Sequence, residues 1–142
     1  GAYTADSGTE ASVVLRSGKD ITLAGYGIQI NDLLEAAQIL SEKGVEAEIV
    51  KLNILTPLKT DEVAASVKKT GALLVAEDCM AEGCIGQRLA AALEEQRVGA
   101  RVCLINCGTQ FIAHGALKYL KKERNLDGEG IARKALEVLG RG

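Results

Sequence analysis

Aromatic side chains are nearly missing from this sequence, which has three Tyr, one Phe and no Trp in 142 residues. That scarcity argues against a single-strand nucleic-acid platform, which needs rings for base stacking. The core has to be built from Ala, Val, Ile and Leu, as in a sheet covered by helices. A dominant charge sign is missing too. The net charge is −2 and the pI about 5.5, so no global basic field recruits nucleic acid or an anionic membrane. The densest basic cluster, Lys118, Lys121, Lys122 and Arg124, is followed at once by Asp127 and Glu129 and reads as a solvated helix face. No apolar run approaches the about 20 residues that span a bilayer. The opening residues Gly1-Ala2-Tyr3-Thr4-Ala5-Asp6 have neither the charged nor the apolar region of a signal peptide. Cytoplasm is therefore the expected location, with no nucleic-acid and no membrane partner. The initial Gly in place of Met suggests a processed start.

Cysteine spacing excludes little but favours little. Cys79 and Cys84 are five apart and Cys103 and Cys107 four apart, with no C-x-x-C pair of the kind zinc prefers. Cys103 lies inside the apolar run Val102-Cys103-Leu104-Ile105, where a thiol behaves as a small hydrophobe. Free thiols are expected, with neither a metal site nor a disulfide.

What is present is an alternation of short apolar runs and helical patterns. The length suits one domain, and 47% hydrophobic residues supply an ordinary core. Residues 1–12 are small and polar and read as a linker or truncated lead-in, leaving 13–142 as the domain. Val13–Arg16 and Ile21–Gly25 read as strands joined by Ser17-Gly18-Lys19-Asp20, a turn short enough to predict a hairpin. Ile30, Leu33, Leu34, Ala37 and Leu40 fall on one helical face, and Gly44 ends that helix. Ala47–Leu52 is a strand. Thr60 is placed to cap a helix whose first turn carries Asp61 and Glu62, and this helix ends near Gly71. Ala72–Ala76 shows no alternation, which predicts a central strand buried on both faces. A helix over 87–96, a last strand Arg101–Ile105, a helical piece around 116–122 and another from about Asp127 to Leu139 complete the pattern. The fold class is α/β: a three-layer α/β/α sandwich on a mixed sheet of about five strands, mostly parallel, with one antiparallel edge strand.

Ligands of an open α/β sheet bind beyond the carboxyl ends of the strands, so those loops are where chemistry is sought. Gly25-Tyr26-Gly27-Ile28-Gln29-Ile30 imitates the start of a dinucleotide loop, but the third glycine is Ile30. The next strand ends in Lys51-Leu52-Asn53, without an acid for a ribose. Gly25, Tyr26 and Gly27 remain a weak candidate for an anion on a helix N-terminus, beside the plainer reading of a glycine-permitted tight turn. Glu77-Asp78, with Glu82 beyond, offers carboxylates for acid–base work or a hard cation, yet no His or Lys partners them there. His114 is the sole histidine. No G-x-S-x-G elbow accompanies it, and a pairing with Cys107 or Cys84 is outweighed by a structural role. The residues alone describe a soluble α/β domain with no catalytic, cofactor-binding or metal-ligating set.

The ordered segments resemble the C-terminal domain of the transketolase-like, thiamine-diphosphate-dependent enzymes across nearly the whole chain. The opening Val14–Leu23 with Gly18-Lys19-Asp20, the Ala24-Gly25-Tyr26-Gly27 turn, the Ala36-Ala37 helix, Leu55-Thr56-Pro57-Leu58, Val75-Ala76-Glu77-Asp78 and Gly83-Cys84-Ile85-Gly86 carry the likeness. To that point the beta chains of 2-oxoacid dehydrogenase E1 components fit equally well. The tail, Cys107–Gly115 and Asn125-Leu126-Asp127-Gly128-Glu129-Gly130-Ile131-Ala132, is most similar to the 1-deoxy-D-xylulose-5-phosphate synthases. Asn53, Asp78, Cys84 and Thr109-Gln110 depart from the family pattern and leave room for another donor or acceptor. The resemblance implies a full-length transferase joining pyruvate and glyceraldehyde 3-phosphate with loss of CO2, on the route to isoprenoid and thiamine precursors. It implies thiamine diphosphate and Mg2+ held between upstream domains of the same chain, none of it here, and a homodimer at full length. This chain would then have a structural or assembly role and be inactive alone. The alternative is a subunit-packing or docking module of a transketolase or an E1 beta chain.

Overall fold

The structure is a computed structural model that describes residues 10–27, 29–55, 57–77, 85–105 and 127–141. Its elements in chain order are β1 (Ser12–Arg16), β2 (Ile21–Gly25), α1 (Gln29–Glu42), β3 (Ala47–Leu52), α2 (Asp61–Thr70), β4 (Ala72–Ala76), α3 (Ile85–Glu95), β5 (Arg101–Ile105) and α4 (Gly128–Val138). The helical piece expected around 116–122 lies outside the described residues.

Strand side chains alternate between faces, and here both faces are apolar. Ile21, Leu23, Ala47, Ile49, Ala72, Leu74 and Ala76 meet α1 and α4 on one side. Ala24, Val50, Leu52, Leu73 and Val75 meet α2 and α3 on the other. The result is the expected three-layer sandwich. The sheet order is β1-β3-β2-β4-β5. β2, β3, β4 and β5 run parallel, and β1 is the one antiparallel strand, at an edge. β4 is interior and buried throughout, as expected, but the central place belongs to β2, which is equally buried.

The expected hairpin does not form. β1 pairs with β3, Ser12 opposite Leu52 and Val14 opposite Val50, so β3 lies between β1 and β2. All six residues of β3 are buried, whereas β1 buries only Ser12 fully and leaves Val14 exposed. In the interior, β3 has strands paired on both edges and cover on both faces, whereas β1, with Val14 exposed, forms the edge. The four-residue turn must then cross the amino end of β3, and it does so at van der Waals limits. A Cβ on Gly18 would stand 2.3 Å from the carbonyl carbon of Ala47, so only glycine passes there. The crossing is pinned by Asp20 N–H donating to the Glu46 carbonyl (2.9 Å) and Glu46 N–H donating to Asp20 Oδ2 (2.8 Å).

Beneath that turn, on the α2 face, sits a buried polar cluster. Thr22 and Glu48 are neighbours across β2 and β3. The Thr22 hydroxyl shares hydrogen bonds with Ser66 (2.6 Å) and Thr70 (2.8 Å) of α2. Glu48 Oε1 accepts from Gly18 N–H (3.1 Å) and from the Lys69 ammonium. Burial alone would push the Glu48 carboxyl up. The hydrogen bonds from Lys69, Gly18 and Ser66 prevail and hold it below its ordinary value of 4.5.

Two helix ends differ in how they are finished. Gly44, at φ 80°, closes α1 as expected, with Val45 N–H reaching back to the Leu40 carbonyl at 2.9 Å. Thr60 stands at the N-cap position of α2, but its side chain makes no cap bond. Its backbone is already helical (φ −105°, ψ −5°), unlike the extended backbone of a capping residue. The hydroxyl instead accepts from Gln96 Nε2 at 3.2 Å.

Gly18→Ala is expected to destabilise the protein by about 3 kcal/mol, the upper end for overpacking against backbone, read as a lowered midpoint in urea. An unchanged midpoint would mean that the turn does not cross β3. Because the carboxyl of Glu48 is lowered on folding, its contribution is present above about pH 4.5 and is lost as pH falls through the folded value. Glu48→Gln should therefore flatten the acid side of the stability–pH curve, measured by thermal melts between pH 3 and 7.

Candidate functional site

The carboxyl end of the sheet, where the fold places ligands, is organised around one carboxylate. Glu77 follows β4 directly, and its N–H extends the pairing to the Ile105 carbonyl at 2.9 Å. Continuing the alternation of Leu73 and Val75, its side chain turns to the α2/α3 face, where it is 2% exposed. There it meets the amino end of α3: Oε2 accepts from Ile85 N–H (3.1 Å) and Oε1 from Gly86 N–H (2.6 Å). These amides have no intrahelical acceptor, and the positive end of the helix dipole favours a negative group. The anion at this helix terminus is the chain's own. α3 begins at Ile85, two residues before the start expected at Gln87, and Ile85 adds one more position to the Leu89 and Leu93 spacing. Gly86 permits the approach, since a Cβ there would lie 3.0 Å from Leu104 Cδ2 and 3.1 Å from Glu77 Oε1.

Tyr26 closes the arrangement from the β2–α1 loop. Its hydroxyl donates to Glu77 Oε2 at 2.8 Å, and the residue packs against the α2/α3 side of the core. The turn read as an anion candidate is thereby joined to the carboxylate read as an acid–base candidate. Its glycines have different duties. A Cβ on Gly25 would come within 2.8 Å of Leu33 Cδ1, so Gly25 lets α1 lie close to the sheet. Gly27 takes φ 61°, with its carbonyl accepting from Ile30 N–H at 3.2 Å. The first turn of α1 carries Asp32, which accepts from Gln29 Nε2 at 2.9 Å. Burial, then the charges of Glu35 and Asp127, push the Asp32 carboxyl up.

Asp127 caps α4 by accepting from Gly130 N–H at 2.7 Å. Cys103 on β5 packs beside the α1/α4 core as a small hydrophobe, its thiol pushed up by burial and Glu137 against the pull of Lys134. Asp78, Cys79, Glu82, Cys84, Cys107, His114 and the basic cluster 118–124 lie outside the described residues. Among the described residues no three His, Cys, Asp or Glu side chains gather where they could hold a metal ion. No described helix is long and apolar enough to cross a membrane.

The sequence singles out Glu77 as one of the carboxylates Glu77-Asp78 but does not foretell its partners Tyr26, Ile85 and Gly86, and Asp78 lies outside the described residues. A legible signal was available: an acidic residue ending a buried strand, followed by a helix that opens on Ile85-Gly86.

A mixed five-stranded sheet with a single antiparallel edge, helices on both faces and a carboxylate sealing one helix terminus defines a three-layer α/β domain. Residues 10–131 match the family model described as the transketolase C-terminal domain, and the chain belongs to that family. It is 41% identical over 100 residues to the beta subunit of acetoin:2,6-dichlorophenolindophenol oxidoreductase of Cupriavidus necator, covering 70% of this chain and 29% of that protein. It is 28% identical over 120 residues to 1-deoxy-D-xylulose-5-phosphate synthase 1 of Geobacter sulfurreducens, covering 84% and 19%. It is 40% identical over 86 residues to the pyruvate dehydrogenase E1 component subunit beta of Chaetosphaeridium globosum, covering 61% and 26%. Among solved structures, a split-gene transketolase described as an inactive beta4 tetramer superposes with a TM-score of 0.78 at 27% identity, over 91% of this chain and 42% of that one. The chain thus spans less than a third of the length of each of these three relatives.

Removing the Glu77 carboxylate leaves two amides and a phenol without their acceptor, each costing about 1–3 kcal/mol when buried. Glu77→Ala should therefore be among the most destabilising single changes in the domain. Glu77→Gln should also lose stability, because its amide turns a donor towards Tyr26 and Ile85 or towards Gly86. Tyr26→Phe should cost about 2 kcal/mol. Urea titration of the three variants checks the order, and an unaltered Glu77→Gln would show that the cage is not what holds α3.

Proposed function

We propose that this chain is the non-catalytic C-terminal domain of a thiamine-diphosphate-dependent transketolase-type transferase, with a structural role in assembling the full-length enzyme. The observation that carries the reading is the use of Glu77. The one nearly fully buried carboxylate at the ligand-binding end of the described sheet spends its hydrogen bonds on Tyr26, Ile85 and Gly86. A group so committed is used as an acceptor inside the fold, tying the β2–α1 loop to the start of α3. Thiamine diphosphate and Mg2+ would then bind to domains upstream of this one. The likeness to much longer relatives supports the same division of labour.

For the whole enzyme the reading from the tail motifs is a synthase that joins pyruvate to glyceraldehyde 3-phosphate with loss of CO2, acting as a cytoplasmic homodimer. A second reading is favoured by the identities of 41% and 40% to proteins named as beta subunits. In that reading the domain packs subunits together in an enzyme whose thiamine site needs a separate partner chain.

Calorimetry with thiamine diphosphate and Mg2+ should give no binding heat with this chain and clear binding with the full-length protein. Tight binding to this chain alone would overturn the non-catalytic reading. Release of CO2 from pyruvate with glyceraldehyde 3-phosphate as acceptor then separates the two enzymes. Turnover by the full-length chain alone supports the synthase, and CO2 release that requires both a second chain and an electron acceptor in place of glyceraldehyde 3-phosphate supports the beta subunit.

A further inference from the structure

We draw no further inference here: the strongest candidate, the mouth of the sheet between the Gly25–Gly27 turn and the start of α1, rests on a helix N-terminus with no second observation that points to a ligand.

Discussion

The fold depends on a single act of insertion, in which β3 enters the sheet between two strands that are neighbours in sequence. Its six buried residues need cover on both faces and hydrogen-bonded strands on both edges, and β1 and β2 supply the edges. Once β3 is there, the Ser17–Asp20 turn has to cross its amino end, which makes glycine obligatory at position 18. The buried Glu48 then becomes useful, because its carboxylate takes the Gly18 amide from above and the Lys69 ammonium from α2. A buried charge is costly without such partners. The polar cluster at this end of the sheet is thus a consequence of the strand order, and it anchors α2 through Ser66 and Thr70.

The opposite end follows the same logic with the signs of local need reversed. There the groups requiring satisfaction are the first amides of α3, and the buried Glu77 carboxylate is what satisfies them. Tyr26 donates to the same carboxylate, so the β2–α1 loop and the start of α3 are held by one group. Two buried glutamates, one at each end of the sheet, therefore serve the architecture.

Much of this was legible beforehand, and the reasons are local. The 3.6-residue period of Ile30, Leu33, Ala37 and Leu40 specifies α1 whatever surrounds it, and Gly44 stops it. The unbroken apolar run Ala72–Ala76 has to be covered on both sides, so a sheet between helix layers follows from that segment alone. The partner of β1 was not legible. Short turns favour hairpins by sequence distance, whereas here β3, more than twenty residues further along, enters between the two strands and pairs with both. Thr60 misled as well: a capping residue type was present, but its backbone is already helical and its hydroxyl accepts from Gln96 instead.

The sequence by itself therefore determined the described elements, their order, the three-layer class and the family likeness, since all of these arise from periodicity and from motifs read along the chain. Only the tertiary structure decided that β3 separates β1 from β2, that Glu48 is matched to Lys69 and that Glu77 is spent on α3 and Tyr26. Those choices turn on contacts between residues far apart in the chain. Their energies come from burial and from paired donors and acceptors, which exist only after the layers have closed.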